Sequence, residues 1–167
     1  TGSGCTTGLF ITCATWSLTG AGTAMNPFTL TVRNDGPPTQ RFAEIGLVGI
    51  ARANVVAGTE NPTGYDLNAS PFNGQLWKGG VLQPNADLRP RVDWGANGPS
   101  VIDATETAVF TFTTTGLTAA PAITDVYVHA ISGPGGQSQW IVLQTGVVPE
   151  PSTYALMATG LAGLGVV

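Results

Sequence analysis

Phe28-Thr29-Leu30-Thr31-Val32 alternates apolar and polar residues with a period of two, and Asn34-Asp35-Gly36-Pro37-Pro38 stops the run. That period sends successive side chains to opposite faces of an extended chain, so a strand is predicted with one face inward. Glu106 to Thr114 repeats the pattern, with Ala108, Phe110 and Phe112 alternating with Val109, Thr111 and Thr113. Val126–Ile131, the turn Ser132-Gly133-Pro134-Gly135-Gly136-Gln137 and the return Ser138–Gln144 predict a hairpin. Ile11–Leu18 alternates less strictly but is rich in β-branched and aromatic residues, again a strand. Ala43–Val56 is long and apolar; Gly46 and Gly49 disfavour a helix, which predicts strand, as one piece or two with a kink. Residues 57–99 hold Pro62, Pro71, Pro84, Pro90 and Pro99 and are expected to be loop, with short strands at Gly74–Trp77 and Arg91–Trp94. No segment before Tyr154 has a 3.6-residue period, and there is no internal repeat. The expectation is an all-β protein, a β-sandwich of jelly-roll or immunoglobulin-like ordering.

The end of the chain breaks this pattern. Val148-Pro149-Glu150-Pro151-Ser152-Thr153-Tyr154 cannot continue a helix or pair inside a sheet, because two prolines flank the carboxylate. The thirteen residues Ala155–Val167 carry no charge. As a helix they would span about 20 Å, short of the roughly 30 Å of a bilayer core. Gly160, Gly163 and Gly165 make that helix poor in water, so the tail is expected to be ordered only in lipid, against its own domain or in a neighbouring subunit. The run from Val148 through Met157 and the Gly/Leu/Ala residues after it resembles the C-terminal sorting signal of PEP-CTERM proteins, exported proteins of Gram-negative bacteria that make exopolysaccharide and carry an exosortase. The Arg-rich end of that signal does not follow Val167 in this sequence. The resemblance covers about the last twenty residues. It implies export to the extracellular surface, an exosortase as transient partner with Val148, Pro149, Glu150 and Pro151 as the sorting motif, and passing contact of the tail with a membrane. A leader removed before Thr1 is the corollary. Residues 1–146 are expected to form the β domain and residues 147–167 the sorting and anchoring segment.

Charge changes the picture in one respect. Only 10% of residues are charged and the net charge is -4, which argues against nucleic acid or an anionic membrane surface as partner. So little charge on a β-rich chain predicts association with other copies. Cys5 and Cys13, with seven residues between them, are expected to form a disulfide closing a hairpin or loop, as paired cysteines of exported chains do.

Candidate chemistry is sparse. No Gly-x-Ser-x-Gly elbow, phosphate loop or His-Glu-x-x-His motif occurs, and no metal or cofactor is expected. His129 lies inside an apolar alternation and reads as a strand residue with a satisfied ring. Asp93, Asp103 and Glu106 are the carboxylates a glycosidase pair would need, but loop carboxylates are ordinarily just solvated. Asn34-Asp35-Gly36 and Asp66-Leu67-Asn68 fit turn formation better than calcium binding. Trp77 and Trp94, in the loop-rich middle, are candidates for stacking on sugar rings, with burial in the core as the alternative; Trp16 and Trp140 are expected in the core. The favoured function is a non-enzymatic structural protein of the cell surface or biofilm matrix, self-assembling through its apolar tail or an edge strand. The alternative is a carbohydrate-binding matrix protein holding exopolysaccharide through Trp77 and Trp94. An enzyme ranks third.

Overall fold

The computed structural model describes residues 1–61, 64–84, 88–96, 101–117, 119 and 121–143. Along the chain run β1 (Gly2–Thr7), β2 (Ile11–Thr19), β3 (Phe28–Asn34), β4 (Arg41–Val48), β5 (Val55–Asn61) and β6 (Tyr65–Leu67). There follow β7 (Leu76–Lys78), β8 (Val81–Gln83), β9 (Arg91–Ala96), β10 (Thr107–Thr114), β11 (Asp125–Ile131) and β12 (Gln139–Val142). They form two sheets, one of five strands ordered β1-β2-β3-β10-β5 and one of seven ordered β6-β9-β4-β11-β12-β7-β8. The architecture is an all-β sandwich. Every pairing is antiparallel except β12 with β7, which meet in parallel at Ile141 and Trp77.

The period-two segments build the five-stranded sheet. Leu30 lies opposite Phe110 and Phe28 opposite Phe112, all pointing inward. The facing sheet contributes Ile45, Leu47, Val92, Trp94, Val126, Val128 and Ile141 to the same core. Trp94 bridges the layers, its ring 5.0 Å from Phe112 and 5.5 Å from Phe110. Gln139 ties them by polar contacts: its buried amide accepts from Leu9 N–H (2.7 Å) and donates to Phe10 O and Thr12 Oγ1 (both 2.8 Å). An amide with donors and acceptor engaged can be buried at little cost.

Two differences from the sequence expectation are informative. Ala43–Val56 is divided between the sheets: Gly49, at φ +102, turns the chain after β4, a 3-10 turn covers Arg52–Asn54, and β5 begins in the opposite sheet. A left-handed φ of that size is open to glycine and strained for other residues. The second concerns burial. Leu47-Val48, Val126-Tyr127-Val128 and Ile141-Val142 are consecutive apolar residues and are buried on both faces of the seven-stranded sheet, so the alternation is lost there. Val48, Leu76, Leu88, Tyr127 and Val142 form a second cluster, joined by Phe72 and Trp140.

β1, β6 and β8 were not anticipated, and β5 runs on to Asn61. β1 has glycine at positions 2 and 4 in place of an apolar alternation, and β6 and β8 are three residues each, too short to show a period. The hairpin of β11 and β12 forms as expected. Cys5 and Cys13 are directly opposed in the β1–β2 hairpin and joined as a disulfide. The sorting motif Val148-Pro149-Glu150-Pro151 and the apolar tail lie outside the described residues.

Candidate functional site

The densest polar constellation lies on the outer face of the seven-stranded sheet. Adjacent strands place Asp93, Gly46, Tyr127 and Val142 in one row, with Glu44, His129 and Trp140 in the next. Gly46 has no side chain, and the Tyr127 ring occupies that space; a Cβ there would collide with it. The Tyr127 hydroxyl donates to Asp93 Oδ2 at 2.9 Å. Asn68 Nδ2 (2.7 Å) and the Phe72 N–H (2.7 Å) complete three donors on this carboxylate. Burial pushes the Asp93 carboxyl above its ordinary range, while these hydrogen bonds pull it back. The Tyr127 phenol is raised well above its usual value by burial and by the Asp93 charge. A carboxylate with all its contacts spent inside the fold is a structural clamp.

In the second row His129 stacks on Trp140 (centroids 4.3 Å apart, planes 3° apart), and Trp140 also stacks on Phe72 (3.8 Å, 4°). His129 Nδ1 stands 3.6 Å from Glu44 Oε1, too far for a hydrogen bond, so the ring is held by stacking and not by the satisfied polar contact expected of it. Trp140 is therefore part of the outer cluster instead of the inter-sheet core, where Trp16 does lie.

The predicted aromatic platform does not form. Trp94 is 1% exposed and faces the core, so no sugar ring can reach it. Trp77 is partly buried against the same core, beside Gly8 of the β1–β2 turn. β4, β11 and β12 separate the strands of the two tryptophans. Their inward direction follows from the register, which a loop-rich sequence does not display.

The candidate carboxylates are dispersed too. Asp103 pairs with Arg41 at 2.8 Å, and Glu106 Oε2 accepts from the Asp103 N–H at 3.0 Å within one turn. Asn34, fully buried, donates to Gln40 O and Ile102 O and accepts from Gly36 N–H, while Asp35 accepts from Thr15 Oγ1. The Gly36 and Gln40 contacts lie within the turn, those to Ile102 and Thr15 join it to distant segments, and Asn68 is spent on Asp93 and Glu44. Among the described residues no group of three or more His, Cys, Asp or Glu could hold a metal ion, and no helix is long and apolar enough to cross a membrane.

One surface feature escaped the sequence reading. A groove of about 610 Å³ runs beside the Asp93 clamp, lined by Arg52, Arg89 and Arg91 together with Ser70, Phe72 and Pro90. Arg52 is far in sequence from Arg89 and Arg91, and the fold brings it beside them.

No curated protein and no solved structure matches the chain. The family model of the PEP-CTERM protein-sorting motif does match, at residues 147–167, so the chain carries a PEP-CTERM sorting motif, which implies exosortase-mediated processing and export to the cell envelope or surface.

Proposed function

We propose that this chain is a non-enzymatic structural protein of the outer surface or biofilm matrix of a Gram-negative bacterium, whose copies associate through an edge strand or the apolar tail. The observation that carries this reading is the sorting motif at residues 147–167 following a β-sandwich domain. The charged groups support it, since Asp93, Asp103, Asp35 and Lys78 each hold the fold through close contacts with neighbouring residues. Association is favoured by β8, which ends its sheet with Val81 61% and Leu82 40% exposed. An apolar strand edge offers unpaired amide and carbonyl groups to another chain. A head-to-tail contact of that kind need not close and builds filaments.

Negative-stain microscopy and light scattering of native material test this. Polymers are expected from the full chain, with shorter or no polymers from Val81→Lys/Leu82→Lys or after removal of Val147–Val167. A full chain that stays monomeric at all concentrations would end the assembly reading. In an exosortase-bearing host, Pro149→Ala/Glu150→Ala is expected to accumulate unprocessed protein, read by intact mass.

A further inference from the structure

We propose that one end of the sandwich, carrying the loops 21–26 and 114–117, seats on a lipid bilayer of no net charge, with Met25 and Leu117 entering its apolar layer. Residues 1–32 and 107–124 contain no Asp, Glu, Lys or Arg, so the connection from β2 to β3 and that from β10 to β11 are without charge. In the first of them Asn26 N–H donates to Thr23 O at 3.2 Å, closing a turn with Ala24 and Met25 at its tip. Turn tips are ordinarily Gly, Asn, Asp, Ser or Pro; here Met25 is 97% exposed. The N–H groups of Ala21 and Thr23 both donate to Asn26 O. The turn thus meets backbone needs internally and enters an apolar phase at lower cost. Thr114 fastens the second loop to the first, its N–H and Oγ1 both donating to Gly22 O (2.7 and 3.0 Å). Beyond it Leu117 is 37% exposed, and the groove of about 590 Å³ between the loops has no charged residue in its lining.

The course of the chain favours a bilayer as the occupant. Thr124 N–H donates to Val48 O and Leu143 N–H to Val126 O, which brings together the ends of β4 and β12 and the start of β11. Residues 49–54 lead from there into β5, whose Val55 lies opposite Thr114, so this end of the larger sheet adjoins the uncharged loops. Leu143 therefore leaves the sandwich at the same end, and the residues after it include the uncharged apolar run 155–167. A dry phase that takes up this run lies next to Met25 and Leu117. Two apolar side chains alone hold a bilayer weakly, and a tether in the same bilayer raises their effective concentration. Met25 projects from the fold, so a protein partner would have to match it with a hollow, whereas a fluid bilayer needs no such match. The charged groups of this end, Arg52, Arg91 and the Lys78–Asp125 pair, lie outside the two loops. Because the loops carry no charge, the contact needs no charge from the lipid, and the net charge of -4 opposes only an anionic surface. The assembly surface at β8 belongs to the other sheet, so either proposal can fail alone.

The test uses the full chain with Met25→Cys bearing an environment-sensitive fluorophore, and phosphatidylcholine vesicles with and without nitroxide-labelled lipid. With vesicles the emission should shift to the blue and be quenched by the nitroxide. The same label on Ser138→Cys, an exposed position between β11 and β12 at the opposite end, should do neither. In vesicle flotation Met25→Asp/Leu117→Asp should partition about tenfold or more weakly than the parent; thermal melts establish that the variants fold. Partition should not change with salt. A full chain that does not bind vesicles, binding that needs anionic lipid, an unshifted Met25 label on bound protein, or equal partition of the Asp variant would each overturn the seat. A blue shift without vesicles would put a second copy or the chain's own tail on the turn, and would overturn it too.

Discussion

The Tyr127 hydroxyl reaches Asp93 across an intervening strand, passing over Gly46 to donate a 2.9 Å hydrogen bond. Three adjacent strands are thereby tied on the outer face of the larger sheet. Gly46→Ala should force the ring away and destabilise the domain by about 1–3 kcal/mol, the usual cost of overpacking. Tyr127→Phe should cost about 1–2 kcal/mol through the lost partner of a buried carboxylate. Urea denaturation followed by tryptophan fluorescence measures both. A Gly46→Ala protein as stable as the parent would show that the ring has room to spare.

Protonation should matter at both ends of the pH scale. The folded-state pKa of Asp93 is raised, mainly by burial, so the folded form holds this proton more tightly than the unfolded chain does. Its contribution is most favourable below about pH 3.9, the unfolded value, and falls as pH rises through the folded value. The stability difference between parent and Asp93→Asn should therefore drift against the parent as pH rises from about 4, then level off.

Tyr65 and Tyr127 are likewise raised by burial. Stability should decline above about pH 10, where the unfolded phenols ionise and the folded ones do not. Absorbance at alkaline pH should show two of the three tyrosines ionising only as the circular-dichroism signal is lost.

Reduction of the Cys5–Cys13 disulfide should lower stability by at most about 2–3 kcal/mol, the loop-entropy value for a loop this short. β1 has a single strand neighbour, β2, so the loss should begin there. Hydrogen exchange with and without reductant should show β1 amides losing protection before those of β3 and β10.

Trp94→Ala should destabilise the domain by about 3–5 kcal/mol, as deletion of a buried aromatic does, whereas Trp77→Ala should cost less because that ring is only partly buried. Thermal melts distinguish the two. Equal effects would place Trp94 nearer the surface than its 1% exposure implies.

The larger strands were readable because their physics is local. Phe28–Val32 and Thr107–Thr114 alternate since each has one face in the core and one in water, and glycine and proline mark where they stop. The sorting motif was readable for a related reason, since two prolines around a carboxylate followed by an uncharged run need no fold to be recognised. β1, β6 and β8 were not, because glycine or brevity removes the periodic signal and long-range pairing holds them.

By itself, then, the sequence determined an all-β domain with a paired Cys5 and Cys13 and an export motif at its end. Only the tertiary structure decided that Trp94 faces inward, that Ala43–Val56 is shared between two sheets, and that Arg52, Arg89 and Arg91 meet at one groove. Facing and convergence depend on which strands pair and in what register. Those pairings join residues distant in the chain, and no local pattern encodes them.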